Sequence, residues 1–148
     1  MSLLETLNSD LIVALKKGDK NRVEVIRGLK SDIKYKEIDK REPLTEEDVL
    51  GVLAAAAKRR RDSIELFRQG GRDDLVLKES GELEIITSHL PQQLSDEELQ
   101  EIVGATLLEI GAKTPADLGK VMKAIMPKVK GRADGNRVRQ MIAGKLSG

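Results

Sequence analysis

The sequence predicts an all-α protein in two parts: an N-terminal domain of about four helices over residues 1–90, a linker at 91–94, and a C-terminal three-helix domain over 95–148. Three observations carry that reading. Apolar residues make up 39% of the 148, nearly all Leu, Ile, Val, Ala and Met, with one Phe (Phe67), one Tyr (Tyr35) and no Trp, and such chains pack as helices on aliphatic faces. The apolar positions recur at three- and four-residue spacings, with no alternating strand-like run to compete. Helix starts and stops are punctuated by capping residues, glycines and prolines.

In chain order, Leu4, Leu7, Leu11 and Leu15 define a first helix that Gly18 closes, and Asp19 caps a second. The second runs to about Ile38 on Val23, Ile26, Leu29 and Ile33, until Glu42-Pro43 breaks it. Thr45 to Asp48 has capping-box spacing in an acidic variant and opens a long third helix through Val49, Leu53, Ala56, Ile64 and Phe67. The small run Ala54 to Ala57 lets a neighbouring helix approach closely. Gly70-Gly71 ends that helix, Asp73 starts a fourth on Leu83, Ile86 and Leu90, and Pro91 ends it. A second capping box, Ser95 to Glu98, opens a fifth helix on Leu99, Ile102, Val103, Leu107 and Ile110, which Gly111 terminates. Thr114-Pro-Ala-Asp117 then places a cap, a proline at the first helical position and an acidic residue in the favoured order.

The C-terminal stretch from Leu118 to Ile142 reads as two amphipathic helices joined by a basic turn. Leu118, Val121, Met122, Ile125 and Met126 form one apolar stripe, with Lys120 and Lys123 opposite. Pro127 is expected to stop or kink that helix, leaving Lys128 to Gly135 as the turn and Asp134 as the cap of the last helix, on Val138, Met141 and Ile142.

Catalytic chemistry finds little footing. A single histidine, His89, and no cysteine leave no thiol chemistry and no multi-histidine or thiolate metal site. Neither nucleotide-binding glycine fingerprint is present. No catalytic residue, metal or cofactor is therefore expected. His89 reads as a helix C-terminal residue that favours the macrodipole, and the acidic clusters read as caps and solvated faces. The N-terminus carries no basic leader region and no apolar run is long enough to span a bilayer, so the expectation is a cytoplasmic protein with no membrane partner.

Charge is segregated. Residues 79–112 hold eight acidic residues and no Lys or Arg, whereas residues 113–148 hold nine basic and two acidic, a local excess of +7. Such a tail meets a polyanion or the acidic surface of its own chain. The run Lys58 to Arg61 wraps around its helix and reads as a solvated face paired with acids such as Asp62 and Glu65. The candidate phosphate-binding set is Lys120, Lys123, Lys128, Lys130, Arg132, Arg137 and Arg139, with Gly131 and Gly135 bringing backbone N–H groups close to phosphate. Against this, Asp134 occupies the anion's place at the last helix. With almost no aromatic side chains to stack on bases, RNA is to be met through shape and phosphate, as on a folded RNA.

The combination of Gly119-Lys-Val-Met122, Lys130-Gly-Arg-Ala-Asp-Gly135, Val138, Arg72-Asp-Asp-Leu75, Lys78-Glu79, Glu82-Leu83 and Leu90-Pro-Gln-Gln-Leu94 resembles the GatB/YqeY-type family over essentially the full chain. The resemblance implies an all-helical protein whose C-terminal domain is shared with the tail of GatB, the amidotransferase subunit that acts on misacylated Glu-tRNA or Asp-tRNA. It implies that Lys130, Arg132 and their flanking glycines face tRNA, with tRNA, a tRNA-containing complex or an aminoacyl-tRNA-handling protein as partner. Where the GatB tail typically has Asn-Pro after Lys-Ala, this chain has Asp134-Gly135 after Arg132-Ala133. Two alternatives stand beside this one: a glutamine-dependent carbon–nitrogen ligase or a subunit of one, acting with a partner, and an adaptor whose basic face docks on an acidic protein.

Overall fold

A computed structural model describes residues 2–147. Seven helices and one short 3-10 turn follow in the order α1 (Leu3–Lys17), α2 (Lys20–Lys40), α3 (Glu46–Gln69), α4 (Asp73–Thr87), α5 (Asp96–Ile110), the 3-10 turn Pro115–Asp117, α6 (Leu118–Val129) and α7 (Gly135–Ser147). The fold is all-α, with no strand among the described residues. Two compact units divide between Pro91 and Gln92.

Local signals set the helix ends. Asp48 N–H donates to Thr45 Oγ1 at 3.1 Å while Thr45 N–H donates to Asp48 Oδ2 at 2.9 Å, and Ser95 and Glu98 repeat that reciprocal cap on α5. Gly18 and Gly111 close α1 and α5 in the left-handed region, where an L side chain is strained. Arg41 closes α2 in the same region, at φ 59°, without being a glycine. Thr114 to Asp117 forms the 3-10 turn that leads into α6, the Asp117 carboxylate accepting from the N–H groups of Lys113 (3.0 Å) and Thr114 (3.2 Å). Those two bonds, then the nearby Lys120 charge, hold the Asp117 carboxyl below its usual range.

Several helices depart from the sequence reading: α4 ends at Thr87, short of the Leu90 and Pro91 expected to close it, and α1 and α6 differ further. On α1 the buried face is carried by Leu7 and Ala14, flanked by Leu3 and Leu11. Leu4 and Leu15, expected inside, are 38% and 50% exposed, because two apolar stripes overlap on α1 and periodicity does not say which one faces the core. Pro127 does not stop α6, which continues to Val129 with the proline inside it. Its ring sits on the exposed side of the helix, the one N–H it removes would have reached the carbonyl of the exposed Lys123, and Lys130 N–H still closes on Met126 O at 2.9 Å.

In the first unit Leu7, Ile26, Leu53 and Ile86 are fully buried and gather α1 to α4 around one core. Ala56 and Ala57 are buried on α3, whose most extensive packing partner is α4, as the small-residue run requires. The Lys58 to Arg61 run fans around α3: Lys58 pairs with Asp62 as expected, Arg59 reaches Asp32 on α2 at 2.9 Å, and Arg60 reaches Glu82 on α4 at 2.9 Å. Beside the core lies a polar cluster that the sequence reading missed. Arg22 on α2 holds the Asp10 carboxylate of α1 through Nε (2.8 and 2.9 Å) and Nη2 (2.7 Å), and His89, 8% exposed, meets the same Oδ2 at 2.6 Å. His89, at the C-terminal end of α4 as expected, is thus also a tie from that end to α1. The Arg22 hydrogen bonds, ahead of those from His89, hold the Asp10 carboxyl below its ordinary range.

Replacing Asp10 with Asn will lower stability by about 1–3 kcal/mol at neutral pH, since Arg22 then lacks its charged acceptor. A carboxyl whose folded pKa lies below its unfolded value stabilises fully above that unfolded value, near 3.8, and loses its contribution as pH falls below it. Asp48, drawn down to about 2 by Lys40 and the Thr45 N–H, acts in the same window. Urea denaturation between about pH 6 and pH 2 will show the parent losing stability on acidification and Asp10→Asn losing less of it; parallel curves would contradict the assignment. Arg41→Gly relieves a left-handed side chain and will stabilise by about 1 kcal/mol, read as a raised urea midpoint with unchanged slope.

Candidate nucleic-acid interface

The second unit is a three-helix bundle in which Leu99 and Val103 of α5, Val121, Ile125 and Val129 of α6, and Val138, Ile142 and Leu146 of α7 form the core. Ile110, expected on the α5 stripe, is 38% exposed at the helix end. The α6 periodicity then fixes its cations. Lys120, Lys123 and Pro127, at i, i+3 and i+7, share the outward face and are exposed, while Lys128 lies about 100° further round, toward α5.

The turn between α6 and α7 spans residues 130–134. Arg132 and Ala133 N–H groups donate to Val129 O at 2.8 and 3.1 Å, and Gly131 is buried in the left-handed region at φ 75°. The segment before α5 stitches onto this turn: Leu94 N–H donates to Arg132 O at 2.8 Å, Gln93 Nε2 to Gly131 O at 2.7 Å, and Arg132 Nε to Gln92 O at 3.3 Å. Leu94 is buried in the second core. Gly131 and Arg132, expected on phosphate, are therefore also structural, and Gly131 directs its carbonyl at Gln93.

The acidic partners missing from the local sequence come from α5. Lys128 Nζ reaches Glu109 at 2.9 Å and the buried Thr106 hydroxyl at 3.3 Å. Arg137 on α7 pairs with Asp96 at the start of α5. Part of the basic excess thus meets the acidic block of its own chain. Glu98 feels Arg132 as the least of the influences that hold its carboxyl below the usual range, after the N–H and hydroxyl of Ser95. Asp134 stands immediately before α7, its carbonyl accepting from Val138 N–H at 3.0 Å. Its Oδ1 is buried without a hydrogen-bond partner among the described residues, so that oxygen does not make the side-chain cap expected at the start of α7.

Lys120, Lys123 and Arg139 differ from these. All three are exposed, and none makes an ion pair among the described residues. Lys130 is half-buried in the turn. Among the described residues no group of three or more His, Asp or Glu side chains is placed to hold a metal ion, and no helix is long and apolar enough to cross a membrane.

Seven helices in two units, the second a bundle with a basic hairpin, define a class of small all-helical proteins. The profile of the family described as "Yqey-like protein" matches residues 4–146, and the chain belongs to that family. Related proteins carry the name "Altered inheritance of mitochondria protein 41, mitochondrial". That of Lachancea thermotolerans is 37% identical over 113 residues, 74% of this chain and 60% of the relative. That of Saccharomyces cerevisiae is 34% identical over 125 residues, 83% of this chain and 68% of the relative. That of Eremothecium gossypii is 38% identical over 88 residues, 59% of this chain and 48% of the relative. The chain thus spans between about half and two thirds of the length of these relatives.

Gly131→Ala forces a side chain into the left-handed region within a buried turn and will cost about 1–2 kcal/mol. Urea denaturation of the full chain checks it; an unchanged midpoint would mean that the turn relaxes and does not hold α6 against residues 92–94.

Proposed function

We propose that this protein binds the phosphate backbone of a folded RNA, tRNA foremost, through its C-terminal unit, as an accessory in tRNA handling. The observation that carries this is the set of exposed, unpaired cations on the hairpin, Lys120 and Lys123 on the outward face of α6 and Arg139 on α7. The resemblance of this unit to the GatB tail supports the same ligand. Lys128 and Arg137 have roles in tying α6 and α7 to α5, and Gly131 and Arg132 shape the turn, so phosphate contact falls chiefly on the three free cations. Such binding reads charge and shape rather than base sequence. A tRNA-containing complex or an aminoacyl-tRNA-handling protein is the setting in which it acts. A cytosolic location belongs to this proposal; the relatives' name assigns those proteins to mitochondria.

Binding of total tRNA across a salt series tests the reading. The parent will bind with a steep negative dependence on salt, and Lys120→Glu/Lys123→Glu/Arg139→Glu will lose affinity and a slope of about 0.7–0.9 per phosphate contact removed. Lys128→Ala/Arg137→Ala, which removes cations already paired, will change the slope less. Failure of the parent to bind at low salt overturns the reading and leaves the basic face as a docking site for an acidic protein.

A further inference from the structure

The first unit carries a surface that the RNA reading does not use. On α1 Leu4, Ile12 and Leu15, at i, i+8 and i+11, line one exposed stripe, and Ile12 and Leu15 are 54% and 50% exposed. Alongside, one flank of α2 presents Lys20, Arg27, Lys30 and Lys34 at i, i+7, i+10 and i+14, none with an ion pair among the described residues. On other sides of α2, Arg22, Lys40 and Asp32 are all paired, with Asp10, Asp48 and Arg59. The α1 stripe at Leu15 and the α2 flank at Lys20 and Arg27 share a groove of about 320 Å³, lined besides by Ala14 and Val23 and by one carboxylate, the exposed Glu24, while Ile12, Lys30 and Lys34 extend the two stripes beyond it.

We infer that this groove docks an acidic amphipathic helix of a partner protein, its apolar side chains against Leu15, Ala14 and Val23 and its carboxylates against the α2 cations. Charge complementarity and shape select that occupant. An extended polyanion or an anionic bilayer is drawn by long-range field, but residues 1–91 hold seventeen Lys and Arg against eighteen Asp and Glu, so this unit supplies little. A bilayer is also flat where the groove is concave, and the apolar side chains beside the cations offer nothing to a sugar-phosphate backbone. A helix with leucines on one face and glutamates flanking them satisfies both stripes at once.

The test uses the full chain and a fluorescent, end-blocked peptide of about 18 residues, about 27 Å as a helix, with Leu at i, i+4, i+7 and i+11 flanked by Glu. Controls are a peptide of the same composition with its leucines scrambled around the helix, and one with Lys in place of Glu. The parent will bind the acidic amphipathic peptide at least about tenfold more tightly than either control. Ile12→Gln/Leu15→Gln will weaken binding about tenfold or more, and Arg27→Glu/Lys30→Glu/Lys34→Glu will abolish it along with its salt dependence. All five positions are exposed or half-buried, and circular dichroism with a urea midpoint confirms that each variant is folded. Lys120→Glu/Lys123→Glu/Arg139→Glu will bind the peptide as the parent does, so this inference and the tRNA reading fail separately. Absence of peptide binding, equal binding of the scrambled peptide, or retention by both groove variants overturns the proposal. So does binding of tRNA or phosphatidylserine vesicles through the α2 cations without binding of the peptide.

Discussion

The C-terminal unit depends on one closure, the hydrogen bonding of the turn at residues 130–134 onto residues 92–94. A bundle of this size buries a small core, and small cores leave little surplus over chain entropy. Leu94 N–H on Arg132 O and Gln93 Nε2 on Gly131 O fix the entry to α5 against the exit of α6. Once that is fixed, Val103, Ile125 and Ile142 meet in one core, and the α5 acids come within reach of Lys128 and Arg137. Gly131 permits the turn, and only a residue tolerant of positive φ does so without strain. The residues most readily read as phosphate ligands in the sequence are therefore shared between architecture and surface.

How far the sequence revealed this follows from the range of each interaction. Caps were legible because they act over three residues: Thr45 with Asp48 and Ser95 with Glu98 are both in place. The left-handed glycines at 18 and 111 stop their helices for the same local reason. The α1 stripe was legible as amphipathic but not as oriented, since Leu4, Leu11 and Leu15 fall on a helix line adjacent to that of Leu7 and Ala14, and only the packing of α2 and α3 decides between them. The Asp10, Arg22 and His89 cluster spans 79 residues, and no periodicity links its members. Pro127 does not stop α6 because it removes a single N–H, on the exposed side of the helix, where the carbonyl of Lys123 can turn to water.

The candidate site shows the same division. That residues 113–148 are basic and that α6 has a cationic outward face were both visible in the spacing. Which cations remain free was not, because Lys128 and Glu109 are 19 residues apart and Arg137 and Asp96 are 41 apart. Each of those pairs is solvent-accessible, with side-chain exposures of 43% and 66% for the first and 37% and 69% for the second. Exposed pairs contribute about 0–1 kcal/mol to stability. Their greater effect is electrostatic, since each cancels a positive charge at the surface an anion would meet.

That cancellation bears on how the proposed contact with RNA would be made. Residues 92–148 hold nine Lys and Arg against seven Asp and Glu, a net of +2, so at physiological salt, with a screening length of about 8 Å, the field reaching a distant polyanion is small. Lys120 is tempered further by Asp117, whose carboxyl feels its charge. Lys123 and Arg139 are exposed and make no ion pair among the described residues. A phosphate approaching the α5 flank meets Glu109 and Asp96 beside the cations they neutralise and is repelled there as much as drawn. On the outward face of α6 no carboxylate of α5 competes for the lysines. Under the proposed function, the surface would suit holding a backbone already brought alongside rather than capturing one from solution, and orientation on the RNA would follow from where the chain's own acids are not.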